Sequence, residues 1–147
     1  MPFIATMMLA DAAQAVAGKL YILGGGWSIT GPDPAPSAIA IYVKVPWDLT
    51  NMKHKLLLEL MDVDGEPVFV DAPAGRQALR VESEFEVGRP PGVTPGTPID
   101  LSFALNFPPI VLEPGSRYVW RLSINGETDE NWSLAFSTRP ASQVRGG

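Results

Sequence analysis

The stretch Ile99-Asp100-Leu101-Ser102-Phe103-Ala104-Leu105-Asn106-Phe107 decides the fold class. Its large apolar side chains occupy the odd positions, and its polar or small ones the even positions. A period of two sends alternate residues to opposite faces of a strand, so one face meets a core and the other meets solvent or a partner. A helix would scatter the same side chains around its circumference. The pattern recurs at Ile39, Ile41, Val43 and Val45, opposed by Ala38, Ala40, Tyr42 and Lys44. It recurs at Tyr118, Trp120, Leu122 and Ile124, and again at Trp132, Leu134 and Phe136. One apolar face per strand is the signature of antiparallel sheets.

Weaker strands fill in around these four. Residues 3–10 and 19–30 read as a hairpin turned near Ala17-Gly18. The consecutive Leu56, Leu57 and Leu58 suggest that 55–63 is a strand buried on both faces. Asp64-Gly65 then turns the chain into 67–70. Residues 77–87 alternate from Leu79 onward, giving about eight or nine strands. Residues 10–17 are Ala-rich and could form a short helix, but a strand and turn fit the neighbouring pattern better. Three segments read as loops: 31–36, 71–76, and 88–98, where four prolines and three glycines preclude a ladder. The last has the length of a lid or a protein contact, or of a plain crossover between two sheets.

Two local readings sharpen the picture. A bare two-residue turn at Asn125-Gly126 would set Trp120 opposite Asn131 and turn the wrong face of the next strand to the core. A one-residue slip reverses every face, so a loop over 125–129 or a bulge is expected there. Pro114-Gly115 leads into a strand with Tyr118 near its start. That resembles the tyrosine corner of immunoglobulin-like sandwiches, in which the hydroxyl bonds upstream backbone. The expected fold is therefore an all-β, antiparallel two-sheet β-sandwich, immunoglobulin-like, with a C2-like or jelly-roll strand order as the alternative. Residues 1–138 form one domain and 139–147 a flexible tail.

Composition supports this and removes several functions. The chain has 147 residues, with 14 glycines and 15 prolines, too much punctuation for long helices. A chain of this length buries about two-thirds of its unfolded surface, enough for a full core. There is no cysteine, so disulfides, thiolate metal sites and a Cys nucleophile are excluded. The single histidine excludes a multi-histidine metal site within one chain. A net charge of −5 gives no electrostatic case for nucleic acid. The start of the chain imitates a signal peptide, but no Lys or Arg precedes its apolar run and Asp11 interrupts it. No run reaches the roughly 18 apolar residues of a membrane helix. The expected location is cytoplasmic, with which the lack of cysteine agrees.

Four blocks of sequence carry a resemblance: Leu9-Ala10-Asp11-Ala12-Ala13-Gln14, then Gly18-Lys19-Leu20-Tyr21-Ile22-Leu23-Gly24-Gly25-Gly26-Trp27, then Val45-Pro46-Trp47-Asp48, and Phe85-Glu86-Val87-Gly88-Arg89-Pro90-Pro91-Gly92. In these the chain resembles an uncharacterised bacterial family of domains of unknown function, over nearly its whole length. The resemblance implies a single cytosolic-type domain and transfers no catalytic residue.

Candidate chemistry is sparse. A catalytic triad needs a base beside a nucleophile and an orienting acid. The only histidine, His54, lies between Lys53 and Lys55, no Gly-x-Ser-x-Gly elbow exists, and His54 reads as a surface residue. Glu82, Glu84 and Glu86 share one strand face about 6.5–7 Å apart. That spacing permits a glycosidase pair or a hard cation, yet the ordinary reading is solvated surface protecting an edge strand. Asp62-Val63-Asp64-Gly65-Glu66 lacks the full calcium-loop pattern and reads as a hairpin turn. Gly24-Gly25-Gly26 lacks a phosphate-loop continuation and reads as a bulge or close backbone approach. Trp120 and Trp132 read as core. Trp47, with Asp48 and Asn51 beside it, and Trp27 fall at strand ends, where an exposed indole could anchor a protein interface or stack on a sugar.

No catalytic, metal or cofactor site is therefore expected. The expected role is a non-enzymatic protein-interaction or structural module that self-associates or docks on a protein partner. The small residues over 38–42 and 24–26 would serve as a subunit face, and neither nucleic acid nor membrane is an expected partner. A carbohydrate or small-ligand module centred on Trp47 is the alternative, and a hydrolase using the Glu82, Glu84 and Glu86 carboxylates stands third.

Overall fold

A computed structural model of the chain describes residues 3–141. In chain order the strands are β1 (Ile4–Ala10), β2 (Ala12–Val16), β3 (Lys19–Leu23), β4 (Ile29–Thr30), β5 (Ser37–Val45), β6 (His54–Asp62), β7 (Phe69–Ala72), β8 (Gly75–Ala78), β9 (Arg80–Phe85), β10 (Ile99–Phe107), β11 (Arg117–Ile124) and β12 (Ser133–Thr138). The fold is all-β. A three-stranded sheet runs β1-β5-β10 and a five-stranded sheet runs β4-β12-β11-β6-β9. Two hairpins, β2-β3 and β7-β8, stand beside them. All pairings are antiparallel except the short β4-β12 contact, which is parallel. Among the described residues no helix is long and apolar enough to cross a membrane.

One hydrophobic cluster joins the two larger sheets. Ile39, Ile41, Val43 and Val45 of β5 meet Leu56, Leu58 and Leu60 of β6 and Tyr118, Trp120, Leu122 and Ile124 of β11. Leu101, Phe103, Leu105 and Phe107 of β10 pack on its margin, because β10 is the sheet edge. These are the faces that the period-two pattern assigns. Tyr118 accepts a hydrogen bond at its hydroxyl from the Glu113 amide at 2.9 Å, the corner contact expected from Pro114-Gly115 and Tyr118.

The β11-β12 register answers the problem posed by Asn125-Gly126. A two-residue turn does form, with Asn125 at φ 54° and Gly126 at φ 81°, the positive values a type I′ turn requires. It pairs Ile124 with Glu127, but Trp120 faces Leu134 instead of Asn131. Between the two the chain bulges. Thr128 donates its hydroxyl to Leu122 O at 2.6 Å, and the Leu122 amide donates to Trp132 O at 2.9 Å. The bulge resets the register and returns Trp132 and Phe136 to the core.

Several expectations need correction. Among the described residues the strands number twelve, because short pieces at 12–16, 29–30, 69–72 and 75–78 pair as well. The expected loop over 71–76 tightens into the β7-β8 hairpin. The Ala17-Gly18 turn joins β2 to β3, while β1 makes its ladder with β5. The break falls at Asp11, whose amide reaches both Leu23 O (3.0 Å) and Gly24 O (3.3 Å), the irregularity of a bulge. Gly24 sits there at φ 62° with its α-carbon against the Asp11 carboxylate, where a side chain would not fit. β6 is not buried on both faces: Leu56, Leu58 and Leu60 are buried, and Leu57 and Glu59 between them are half-buried. Arg139 is held by its amide to Thr30 O and by its carbonyl from the Gly115 amide. Residues 142–147 of the expected tail lie outside the described residues.

Candidate functional site

Trp47 opens a 3-10 turn, Trp47–Leu49, directly after Pro46 ends β5. Proline presets φ and lacks a donor, so the strand stops there and the turn begins. The Leu49 amide closes on Pro46 O at 2.9 Å, and Thr50 bonds Trp47 O through both its amide (3.2 Å) and its hydroxyl (2.7 Å). Arg89, the second residue of the long Pro/Gly loop, lies over the indole with its guanidinium carbon 3.8 Å from the ring centroid. It donates from Nε to Thr50 Oγ1 at 2.7 Å and from its terminal nitrogen to Trp47 O at 2.9 Å. Asn51, at φ 60°, anchors the same loop by donating its amide to Val87 O at 2.7 Å. Trp47 is half-buried, and Asp48 and Asn51 are exposed. One indole face is thus covered by a cation of the chain itself and is closed to a stacking sugar.

Trp27 is elsewhere. It packs edge-on to Phe136, 5.9 Å between centroids, and its buried Nε1 has no hydrogen-bond partner. Phe136 faces Tyr118, which faces Asp62 at the far end of β6, while Trp47 adjoins the end that begins with His54. Eight steps along a strand span roughly 26 Å, so the two indoles do not share a site.

His54 is not a surface residue; only 4% of it is exposed. The alternation of β6 carries it in phase with Leu56 and Leu58, and its ring lies against Phe3 and Phe85. Asn125 Oδ1 accepts from the Lys55 amide at 2.9 Å, which leaves the Asn125 amide nitrogen to donate to His54 Nδ1 at 3.0 Å. His54 Nε2 then carries the proton and donates to Leu49 O at 2.8 Å. Both ring nitrogens are used structurally, and no nucleophile stands beside them.

The acidic candidates lie on exposed surface. β9 is the edge of its sheet, with Glu82, Glu84 and Glu86 exposed and Glu82 paired to Arg80 at 3.1 Å. Among the described residues no group of three or more His, Cys, Asp or Glu could hold a metal ion. Asp62 Oδ1 accepts from the amides of Asp64 (2.9 Å) and Glu66 (3.0 Å), which makes this segment the expected hairpin turn. A groove of about 990 Å³ runs between the β7-β8 hairpin and residues 107–118, and it gathers none of Trp27, Trp47, Asp48 or Asn51.

The outer face of the three-stranded sheet is the more informative surface. Ala38 and Ala40 are fully buried there, but not by a subunit: Ala13 and Leu20 of the β2-β3 hairpin cover them, together with Ala10 and Ala104. Ala38 and Ala40 of the expected small-residue subunit face are therefore covered by the chain itself, while Gly24, Gly25 and Gly26 stay exposed. Asn106 fastens the hairpin down. Its side chain accepts from the Ala13 amide at 3.2 Å and donates to Ala13 O at 2.8 Å, completing one edge of β2 as a strand would. Farther along the same face Lys44 bridges Asp100 at 3.0 Å and Tyr42 at 3.1 Å. The Tyr42 hydroxyl and the Lys44 ammonium hold the Asp100 carboxyl below its usual range, and Tyr42 and Asp100 in turn raise Lys44.

Docking the hairpin turns its other face outward. Val16 is 50% exposed, Tyr21 55% and Leu23 71%. Sequence reasoning missed this surface, as it missed Asn106 and Arg89. The available signal was the pair of polar residues Ser102 and Asn106 bracketing Ala104 on the outward face of β10, both of which bond the hairpin.

The model of a family described as a family of unknown function, DUF6941, matches residues 5–137. No curated protein and no solved structure matches the chain.

Proposed function

We propose that this chain, which belongs to the family of unknown function DUF6941, is a non-enzymatic protein-interaction module that self-associates or docks on a protein partner. The observation that carries the reading is the outward face of the β2-β3 hairpin, where Val16, Tyr21 and Leu23 present apolar surface to solvent. An exposed apolar strand at a sheet edge is a template for pairing.

We read the architecture as an immunoglobulin-like sandwich, a reading supported by the Tyr118 corner and by the shared core of the two larger sheets. The reading places the protein in the cytoplasm, in keeping with a chain that uses no cysteine. Light scattering across a concentration series tests self-association. The expected result is a mass rising above 15.8 kDa towards a multiple of it. A mass of 15.8 kDa at every concentration would refute self-association and turn the reading to a separate protein partner or to a ligand at Trp47.

A further inference from the structure

We propose that the free edge of β3 pairs antiparallel with β3 of a second copy of the chain, about a two-fold axis at Tyr21. This rests on the interaction reading above and gives it a surface, a register and a partner. The backbone geometry supplies the first step. In an antiparallel ladder, residues alternate between those that bond their partner strand and those whose amide and carbonyl point away from it. The grip of Asn106 on both backbone groups of Ala13 marks Ala13 as pointing away from β3. Ala13 faces Ile22, and Ala15 faces Leu20. Ile22 and Leu20 therefore direct their backbone groups to the far side of β3. Among the described residues nothing pairs there, since β3 is bonded only to β2. The hairpin thus has one edge capped at Ala13 by an amide side chain, and a second edge, that of β3, with no such cap.

The open edge carries few of the usual protections. It holds no proline and a single charge, Lys19 at its start. Lysine, proline or a covering loop is how native edges avoid pairing. The sequence Lys19-Leu20-Tyr21-Ile22-Leu23 is also self-complementary. With Tyr21 on the axis, Leu20 of one copy pairs with Ile22 of the other and exchanges backbone hydrogen bonds in both directions. Lys19 then lies opposite Leu23, so like charges do not meet. One residue beyond Leu23, at Gly24, stands the Asp11 carboxylate, an acidic partner for the approaching ammonium. Tyr21 meets Tyr21 in the non-hydrogen-bonded position, where side chains come closest and aromatic pairs stabilise a sheet. A five-residue strand pair is a small interface, so the dimer dissociates on dilution.

The test uses the lack of native cysteine, which makes each introduced thiol unique. Across the axis the Tyr21 α-carbons stand about 4.5 Å apart, within disulfide reach. Tyr21→Cys is expected to cross-link to a covalent dimer under mild oxidation. Lys19→Cys alone and Leu23→Cys alone are not, because each lies roughly 13 Å from its own counterpart, while a mixture of the two cross-links. Tyr21→Lys sets two ammonium groups face to face and is expected to weaken the dimer about tenfold or more. Tyr21 is 55% exposed, so neither variant disturbs the fold, which circular dichroism verifies. Wild-type dimer that persists in Tyr21→Lys, with Tyr21→Cys failing to cross-link, would overturn edge pairing and leave the interaction reading standing elsewhere. A wild-type chain that is monomeric throughout, with no cross-link, would overturn both the pairing and self-association.

Discussion

Replacing Asn125 tests the polar joint that closes one end of the β6-β11 pair. Asn125 holds φ 54°, accepts from the Lys55 amide, and donates to His54 Nδ1. Alanine at this position loses each contribution. The left-handed backbone costs a residue with a Cβ about 1–2 kcal/mol, and asparagine is among the few that tolerate it. Losing the Lys55 contact costs about 1 kcal/mol net, because that site is exposed. Orphaning Nδ1 of a ring only 4% exposed costs about 1–3 kcal/mol. The parts overlap, so Asn125→Ala is expected to destabilise by about 3–4 kcal/mol, near 10 °C in Tm at roughly 3 °C per kcal/mol. Asn125→Gly removes the backbone penalty and should recover about 1 kcal/mol of that loss. Asn125→Asp keeps the turn and the Lys55 contact but puts an acceptor against an acceptor at His54, for a loss of about 1–3 kcal/mol. Urea titration followed by tryptophan emission measures all three, with the slope unchanged. Asn125→Asp within 0.5 kcal/mol of wild type, roughly the limit of such measurements, would refute the joint. Glycine more harmful than alanine would refute the backbone argument.

Other expectations follow from the same contacts. Tyr118→Phe removes the acceptor for the Glu113 amide and should cost about 1–2 kcal/mol in urea unfolding. Arg89→Ala uncovers Trp47 and frees the start of the 88–98 loop, for a loss of about 1 kcal/mol and a red-shifted emission. Arg89→Lys should not restore it, because an ammonium cannot reproduce the stacked, forked contact. The Asp100 carboxyl titrates below its ordinary value of 3.8 in the folded chain, so its contribution is present above that pH and fades as pH falls through the lower folded value. Asp100→Asn should flatten that acid limb of the urea midpoint against pH. Lys44 is raised, so its contribution holds below 10.5 and fades only as pH climbs past it.

Much of the fold is legible in alternation. β5, β10 and β11 each keep one apolar face, and their faces follow from parity alone. The conflict between the Asn125-Gly126 turn and the faces of Trp120 and Trp132 calls for a loop or a bulge in place of the plain two-residue hairpin; the structure keeps the two-residue turn and adds the bulge. His54 escaped because Leu56-Leu57-Leu58 hides the alternation of β6, which alone reveals that His54 points inward. Which strand β1 pairs with escaped because the chain beyond β3 also reaches β1, where the Gly26 amide donates to Leu9 O. The hairpin covering Ala38 and Ala40 escaped for a related reason. Small residues on an outer face announce close approach but do not say by what. The covering of Trp47 by Arg89 joins residues far apart in the chain, and no spacing rule links them.

The most direct measurement is amide hydrogen exchange at Leu20 and Ile22, read by NMR in dilute and concentrated protein. If β3 offers an open edge to a second copy, both amides exchange freely when dilute and become protected as concentration rises, while Tyr21, bonded within the hairpin, changes little. Protection of Leu20 and Ile22 that does not vary with concentration, whether high or low, would contradict the account.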